Sequence, residues 1–358
     1  LRLHGWTGDG IMSSVAKKLL QAKTVVAGKT IAVCTGGNYL TVVDITDASN
    51  MSILGDVYDS TAFGSIGTFP TGDADRDLIF AAGASNTVCV GDYSDPSNPT
   101  VLQVFSNSNF TSTHKSLIPD TTRELLFTNC GTADKANCID YSNPSSLSLL
   151  DTITSSTQLD NTQGIAVDPT NEVVYYSSFS DDSVTSIDYS TPSSLSILDQ
   201  HTDSTAFNGG RNIKLDVEND ILYGVARTSN SIVRFDVSNP SSISTLNYLI
   251  DSTNLDNAWD VALDLEDNIA IVFDYDQGIS SIDISNPSSM SRLDTLSHAD
   301  FTGVGQLQID TKRKIAFVKV AGSDDSLSSI DYSDPSNLTV MDILKDSVKL
   351  SGRTVFLK

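Results

Sequence analysis

The sequence predicts an all-β chain, a seven-bladed β-propeller with four antiparallel strands per blade and about 48 residues per blade. Three observations predict it: one turn signature recurs seven times, four short strand-like runs fit between successive copies, and the polar residues favour turns and strands over helices.

The signature is a hydrophobic strand that ends in Asp and turns through Ser, Asn or Asp, and Pro. It reads "DITDASNMSIL" from Asp44, "DYSDPSNPTVL" from Asp92, "DYSNPSSLSLL" from Asp140 and "DYSTPSSLSIL" from Asp188. It continues as "DVSNPSSISTL" from Asp236, "DISNPSSMSRL" from Asp283 and "DYSDPSNLTVM" from Asp331. The steps between these aspartates are 48, 48, 48, 48, 47 and 48 residues. An Asp leaving a strand accepts a hydrogen bond from an N–H two residues on, and Pro at the second turn position has the φ that a type I turn needs. An acid present in seven environments is a turn element, since catalysis needs one copy in one environment.

Residues 1–22 read as an N-terminal extension with a short helix in "IMSSVAKKLLQA". The propeller itself is expected over 23–345, its first inner strand at "TVVAG". The fourth copy shows the unit best. "GIAVD" should line the channel, "VVYYSS" and "SVTSID" follow, and "LSILDQ" lies at the rim, each break carrying Pro, Asn, Asp or Gly. The first strand is expected to be the best covered of the four, and rim charges should discourage edge-to-edge pairing. Residues 346–358, with "LSGRTVFLK", form either a strand that closes the ring or the start of a further repeat.

The segment "LTVVDITDAS" at 40–49 and its six later copies resemble the LVIVD-repeat β-propeller proteins. The resemblance covers about residues 23–345 and implies a propeller of a surface or secreted protein. It carries no catalytic motif. "VCVGD", "NCID" and "SSID" depart from the family's aliphatic core.

The net charge of −23, with only four Glu among 45 acids, disfavours nucleic acid and anionic membranes as partners. No run of about 18 apolar residues is present. The acidity and the start at Leu1 point to an extracellular, secreted or surface-displayed protein. Cys130 and Cys138 flank "GTADKAN" and could pair across a hairpin as a disulfide; buried free thiols are the alternative. Asn50, Asn109 and Asn337 lie in open glycosylation sequons.

Within a regular frame, a site is written in what differs between blades. Near the starts of the channel strands stand His114, Gln163, Arg211, Trp259, Asp260, Gln306 and Arg353, the candidate binding residues at the channel mouth. The acidic pairs Asp181-Asp182, Asp274-Asp276 and Asp324-Asp325, in loops between second and third strands, offer hard oxygen ligands to calcium, although none has EF-hand spacing. No Gly-rich phosphate loop, nucleophile elbow or zinc-protease motif occurs. The expectation is therefore a non-enzymatic structural or interaction module that binds protein subunits of a larger assembly or surface glycans. The alternative is a secreted hydrolase or lyase with its site at the channel mouth, with calcium as its candidate cofactor, using Asp260, Arg211 and His114. Calcium-assisted carbohydrate binding without catalysis is a third reading.

Overall fold

A computed structural model describes residues 29–63, 71–83, 86–110, 114–276, 278–321, 325–352 and 354–358. The expected N-terminal helix and the "TVVAG" strand lie outside the described residues. Seven four-stranded antiparallel sheets form a seven-bladed propeller with almost no helix. The inner strands Thr71–Asp73, His114–Asp120, Thr162–Asp168, Gly210–Asp216, Ala258–Asp264, Val304–Asp310 and Thr354–Leu357 contact one another in a closed circuit around the channel. The last of them belongs to the first blade. Thr354–Leu357 pairs antiparallel with Ile31–Gly36, so one sheet joins the two ends of the described chain and closes the ring.

The repeated signature builds the outer hairpin of every blade. The N–H two residues after each signature Asp donates to its carboxylate: Thr46 to Asp44, Ser94 to Asp92, Ser142 to Asp140, Ser190 to Asp188, Ser238 to Asp236, Ser285 to Asp283 and Ser333 to Asp331, at 2.7–3.0 Å. Just before the Asp, a register shift interrupts each pairing of third and fourth strands, as between Ser186 and Ile187. Such a bulge adds local twist, which a propeller blade requires.

The core is split into seven apolar layers, one at each junction between blades. The second strand is the best covered: Val173–Ser178 and Leu125–Cys130 are buried at every position. This corrects the expectation that the first strand would be. The inner strand has one edge on the open channel, whereas the second has a strand on each side and a blade on each face.

Polar side chains tie the blades together across these layers. Tyr141, Tyr189 and Tyr332, each following a signature Asp, donate to Asp73, Asp120 and Asp264 at the inner-strand ends of the preceding blades, at 3.3, 3.0 and 3.0 Å. At the rim, Asp151, Asp199, Asp294 and Asp342 accept the N–H of Leu195, Ile243, Leu338 and Met51 of the next blade, at 2.7–2.8 Å. Rim acids thus serve as clasps.

Cys130 and Cys138 do not form a disulfide, and all four cysteines are buried free thiols. The hairpin is tighter than the sequence implied. Cys130 faces Lys135 across it and Cys138 faces Phe127, so the two cysteines are out of register. Burial pushes the Cys138 thiol up to about 12 and the Cys130 thiol to about 11.

Candidate functional site

The inner strands of blades three to seven each end in Asp, which aligns them: Gln163, Arg211, Trp259 and Gly305 stand five residues before that Asp, and Ser116, Gly164, Asn212, Asp260 and Gln306 four before it. The two positions have different work. At the second, Ser116 Oγ donates to the Gln163 carbonyl of the next blade, and Asn212 Nδ2 donates to Asp260. Asp260 in turn accepts the Leu307 N–H at 2.8 Å, and Gln306 Oε1 accepts the Val355 N–H at 2.9 Å. Gly164 has no side chain because the Arg211 carbonyl and the Asn212 Cα come within 2.8 Å of where a Cβ would stand.

Asp260 and Gln306 are therefore clasps between blades, which corrects their reading as mouth residues open to a ligand. Asp260 is fully buried, and burial raises its carboxyl above the usual range despite its three donors. With no exposed surface and three donors from the protein itself, Asp260 presents no carboxylate to a ligand, and the combination of Asp260 with Arg211 and His114 as a catalytic set is set aside. The backbone of His114 pairs with Cys130 at the start of its strand; its side chain and Arg353 lie outside the described residues.

The other position gathers a cluster. The Arg211 guanidinium lies 4.7 Å from the ring centre of Phe179 and 4.2 Å from that of Trp259. Each such contact stabilises a cation by about 0.5–2 kcal/mol. Gln163 Oε1 accepts from Arg211 Nη1 at 2.8 Å, and Gln163 is fixed in turn by donating to the carbonyl and the side chain of Asn161 at 2.9 Å. The buried Arg211 Nε has no hydrogen-bond partner among the described residues. Burial, with repulsion from nearby Arg227, lowers Arg211 to about 10. Arg227 donates from Nε to Asn257 Oδ1 at 2.7 Å, and Asn257 Nδ2 donates to the exposed Asp276. Tyr275 closes the group, its ring 6.1 Å from that of Trp259. Neither arginine makes an ion pair with a carboxylate among the described residues.

The sequence reading named Gln163, Arg211 and Trp259 but missed Phe179, Arg227, Asn257 and Tyr275. Their signal was positional. Gly131, Phe179, Arg227 and Tyr275 each follow directly on a second strand, and the differences among them mark the same mouth.

The acidic pairs divide by backbone. Asp182 and Asp325 adopt left-handed φ of 50° and 40° at hairpin turns where other blades place Asn38, Asn86, Asp134 and Asn230. Asp182 also accepts the Gly209 N–H at 2.9 Å, and Asp181 accepts from the Asp160 N–H and the Ser178 hydroxyl. Asp274 accepts the Gly278 N–H across its turn at 2.8 Å. The carboxylates of Asp181, Asp182 and Asp274 are engaged by donors of the protein itself, and no group of three or more metal-ligating side chains occurs among the described residues. Asp324 lies outside the described residues. Of the sequon residues, Asn50 and Asn337 are exposed on outer turns, whereas Asn109 is half-buried and accepts from Lys135 Nζ at 3.0 Å.

The LVIVD repeat model matches residues 25–59, 214–248 and 257–294. No curated protein matches the sequence. Solved structures share the fold over nearly the whole chain. A putative 6-phosphogluconolactonase of Bacteroides fragilis is 10% identical with TM-score 0.75, covering 94% of this chain and 99% of that one. One of Bacteroides uniformis is 9% identical with TM-score 0.73, covering 89% and 100%. The periplasmic gluconolactonase of Pseudomonas aeruginosa is 12% identical with TM-score 0.71, covering 92% and 98%. At these identities the likeness is one of fold. It corrects the expectation of a non-enzymatic interaction module, which rested on the lack of a local catalytic motif. Three structures of this architecture are named as lactonases, and a propeller can assemble a site from residues far apart in sequence. Among the described residues, no helix is long and apolar enough to cross a membrane.

Proposed function

We propose that this LVIVD-repeat β-propeller is a hydrolase that opens an anionic, sugar-derived lactone at the Arg211 mouth of its channel. The observation that carries the reading is the pair of guanidinium groups, Arg211 against the Phe179 and Trp259 rings and Arg227 near it, without a carboxylate counter-ion among the described residues, in a chain with 45 acids and 22 basic residues. Holding two like charges close is costly, and an anionic ligand offsets that cost. The lactonase names of three fold neighbours support the choice of reaction.

In this reading the sugar ring stacks on Trp259 and Tyr275 and the anionic substituent pairs with Arg227. Arg211 Nε donates to the lactone carbonyl oxygen as negative charge develops there. Asp276, held by Asn257, takes a proton from water as that water attacks the carbonyl carbon. The bond from the carbonyl carbon to the ring oxygen breaks, the ring oxygen recovers the proton, and the product is an open-chain hydroxy acid. The Asp-rich surface supports a secreted setting for this activity.

The test is proton release at constant pH from glucono-1,5-lactone and its 6-phosphate, measured against spontaneous opening. D276N is expected to lower kcat by about 100-fold, the scale of a lost general base, with little change in KM. Rates equal to spontaneous opening for every lactone tried would overturn the reading.

A further inference from the structure

The opposite end of the channel holds a different cavity. It measures about 330 Å³ and is lined by inner-strand side chains of five successive blades, three to seven. Its walls are aliphatic, from Ile118, Val167, Leu215, Leu263 and Ile309. Two polar side chains reach them, Gln308 and Lys214, and Lys214 is the one charged residue of the lining. At the rim, Leu265 and Val217 are 41% and 40% exposed on the hairpins that follow their inner strands.

An aliphatic channel wall is unexpected in a chain of net charge −23, whose surface elsewhere is rich in Asp and Ser. The lysine is as unusual. Its ammonium makes no hydrogen bond or ion pair with another described residue, and the carboxylate whose field it feels, Asp260, already accepts from Asn212, Val261 and Leu307. A cation left without a dedicated acceptor beside a row of aliphatic side chains is complementary to an anionic head on a hydrocarbon tail.

We infer that this end of the channel binds a linear aliphatic carboxylate, with the carboxylate on Lys214, the chain against Leu215, Leu263 and Ile309, and the tail leaving past Leu265. Taking a methylene as about the size of a water molecule, roughly 30 Å³, the cavity holds on the order of ten carbons. The site is separate from the Arg211 mouth, which lies at the other ends of the same strands, and it does not depend on the lactonase reading.

Titration calorimetry of the full chain with decanoate, decanol and hexanoate, each below its micelle concentration, tests this. Saturable binding is expected, with decanoate at least about tenfold tighter than decanol or hexanoate, because decanol lacks the charge and hexanoate leaves apolar wall uncovered. K214M should abolish the preference for decanoate over decanol, and K214R should keep it. The wild-type comparison of decanoate with decanol stands even if the K214M chain fails to fold. Absence of saturable binding, equal affinity for decanoate and decanol, or an unchanged preference in a folded K214M chain would each overturn the inference.

Discussion

At the outer hairpin, seven aspartates from Asp44 to Asp331 make the same bond to the N–H two residues on. At the Arg211 mouth, the equivalent inner-strand positions of four successive blades hold Gln163, Arg211, Trp259 and Gly305, a donor and acceptor, a cation, a large ring and no side chain. The outer hairpins need one turn geometry seven times, so sameness there reports a shared structural demand. In the proposed function the mouth receives a ligand that lacks seven-fold symmetry, and difference there is what recognition would require. Between the two lies a third class, in which Ser116, Asn212, Asp260 and Gln306 differ in identity and share the task of clasping the next blade. Difference alone therefore does not mark a ligand site. The added signs are an unpaired charge and exposure to the channel.

The comparison can be broken at graded cost. Deleting residues 354–358 removes the strand that pairs with Ile31–Gly36 and leaves the first blade with an open edge and an uncovered apolar layer. Loss of cooperative unfolding by calorimetry is expected, the largest effect of the set. Asp264→Ala takes the acceptor from Tyr332 Oη at 3.0 Å and from Lys314 Nζ at 2.8 Å at a fully buried site. Urea unfolding should show about 3 kcal/mol lost, the scale for a broken buried polar network.

Lys319 gives the next effect. It is fully buried and donates to the carbonyls of Val320, Leu350 and Gly352, and burial lowers its ammonium from 10.5 to about 8. Between pH 8 and 10 the folded chain has released this proton and the unfolded chain has not, so Lys319 by itself contributes a rise in stability with pH of about 2 kcal/mol. The buried thiols of Cys34, Cys89, Cys130 and Cys138 act in the opposite sense from about pH 9, and Tyr93, Tyr141 and Tyr189 from about pH 10, because burial raises all of them and they stay protonated in the folded chain alone; net stability therefore falls as pH rises through this range. K319M should steepen the fall between pH 8 and 10 by about 2 kcal/mol; an unchanged slope would contradict this account of Lys319. Asp140→Ala removes one outer-turn bond, to the Ser142 N–H at 2.8 Å. The expected cost is about 1 kcal/mol, with lactone hydrolysis unchanged.

The blade count, the strand order and the signature turn were legible because each is written seven times at a fixed step, and a period needs no knowledge of what faces what. Half of the mouth was legible for the same reason: Gln163, Arg211 and Trp259 break the repeat on inner strands. Phe179 and Arg227 were not, because they begin loops whose convergence depends on ring closure. Asp260 misled, since an acid beside an aromatic looks like chemistry until the Leu307 N–H of the neighbouring blade is seen to donate to it. The cysteines misled through one unit of register: pairing Cys130 with Lys135 shortens the turn and carries Cys138 past the reach of a disulfide.

The central claim is that the unequal mouth, not the seven-fold frame, carries the activity. It is tested most directly by the ratio of kcat/KM for the 6-phosphorylated lactone to that for the neutral lactone, measured in the wild type and in R227M. The account predicts a wild-type ratio of about 100 that falls by at least tenfold in R227M, as expected when a charge-assisted contact to an anionic substrate is lost. Wild-type rates equal to spontaneous opening, or a ratio that R227M leaves unchanged, would contradict it.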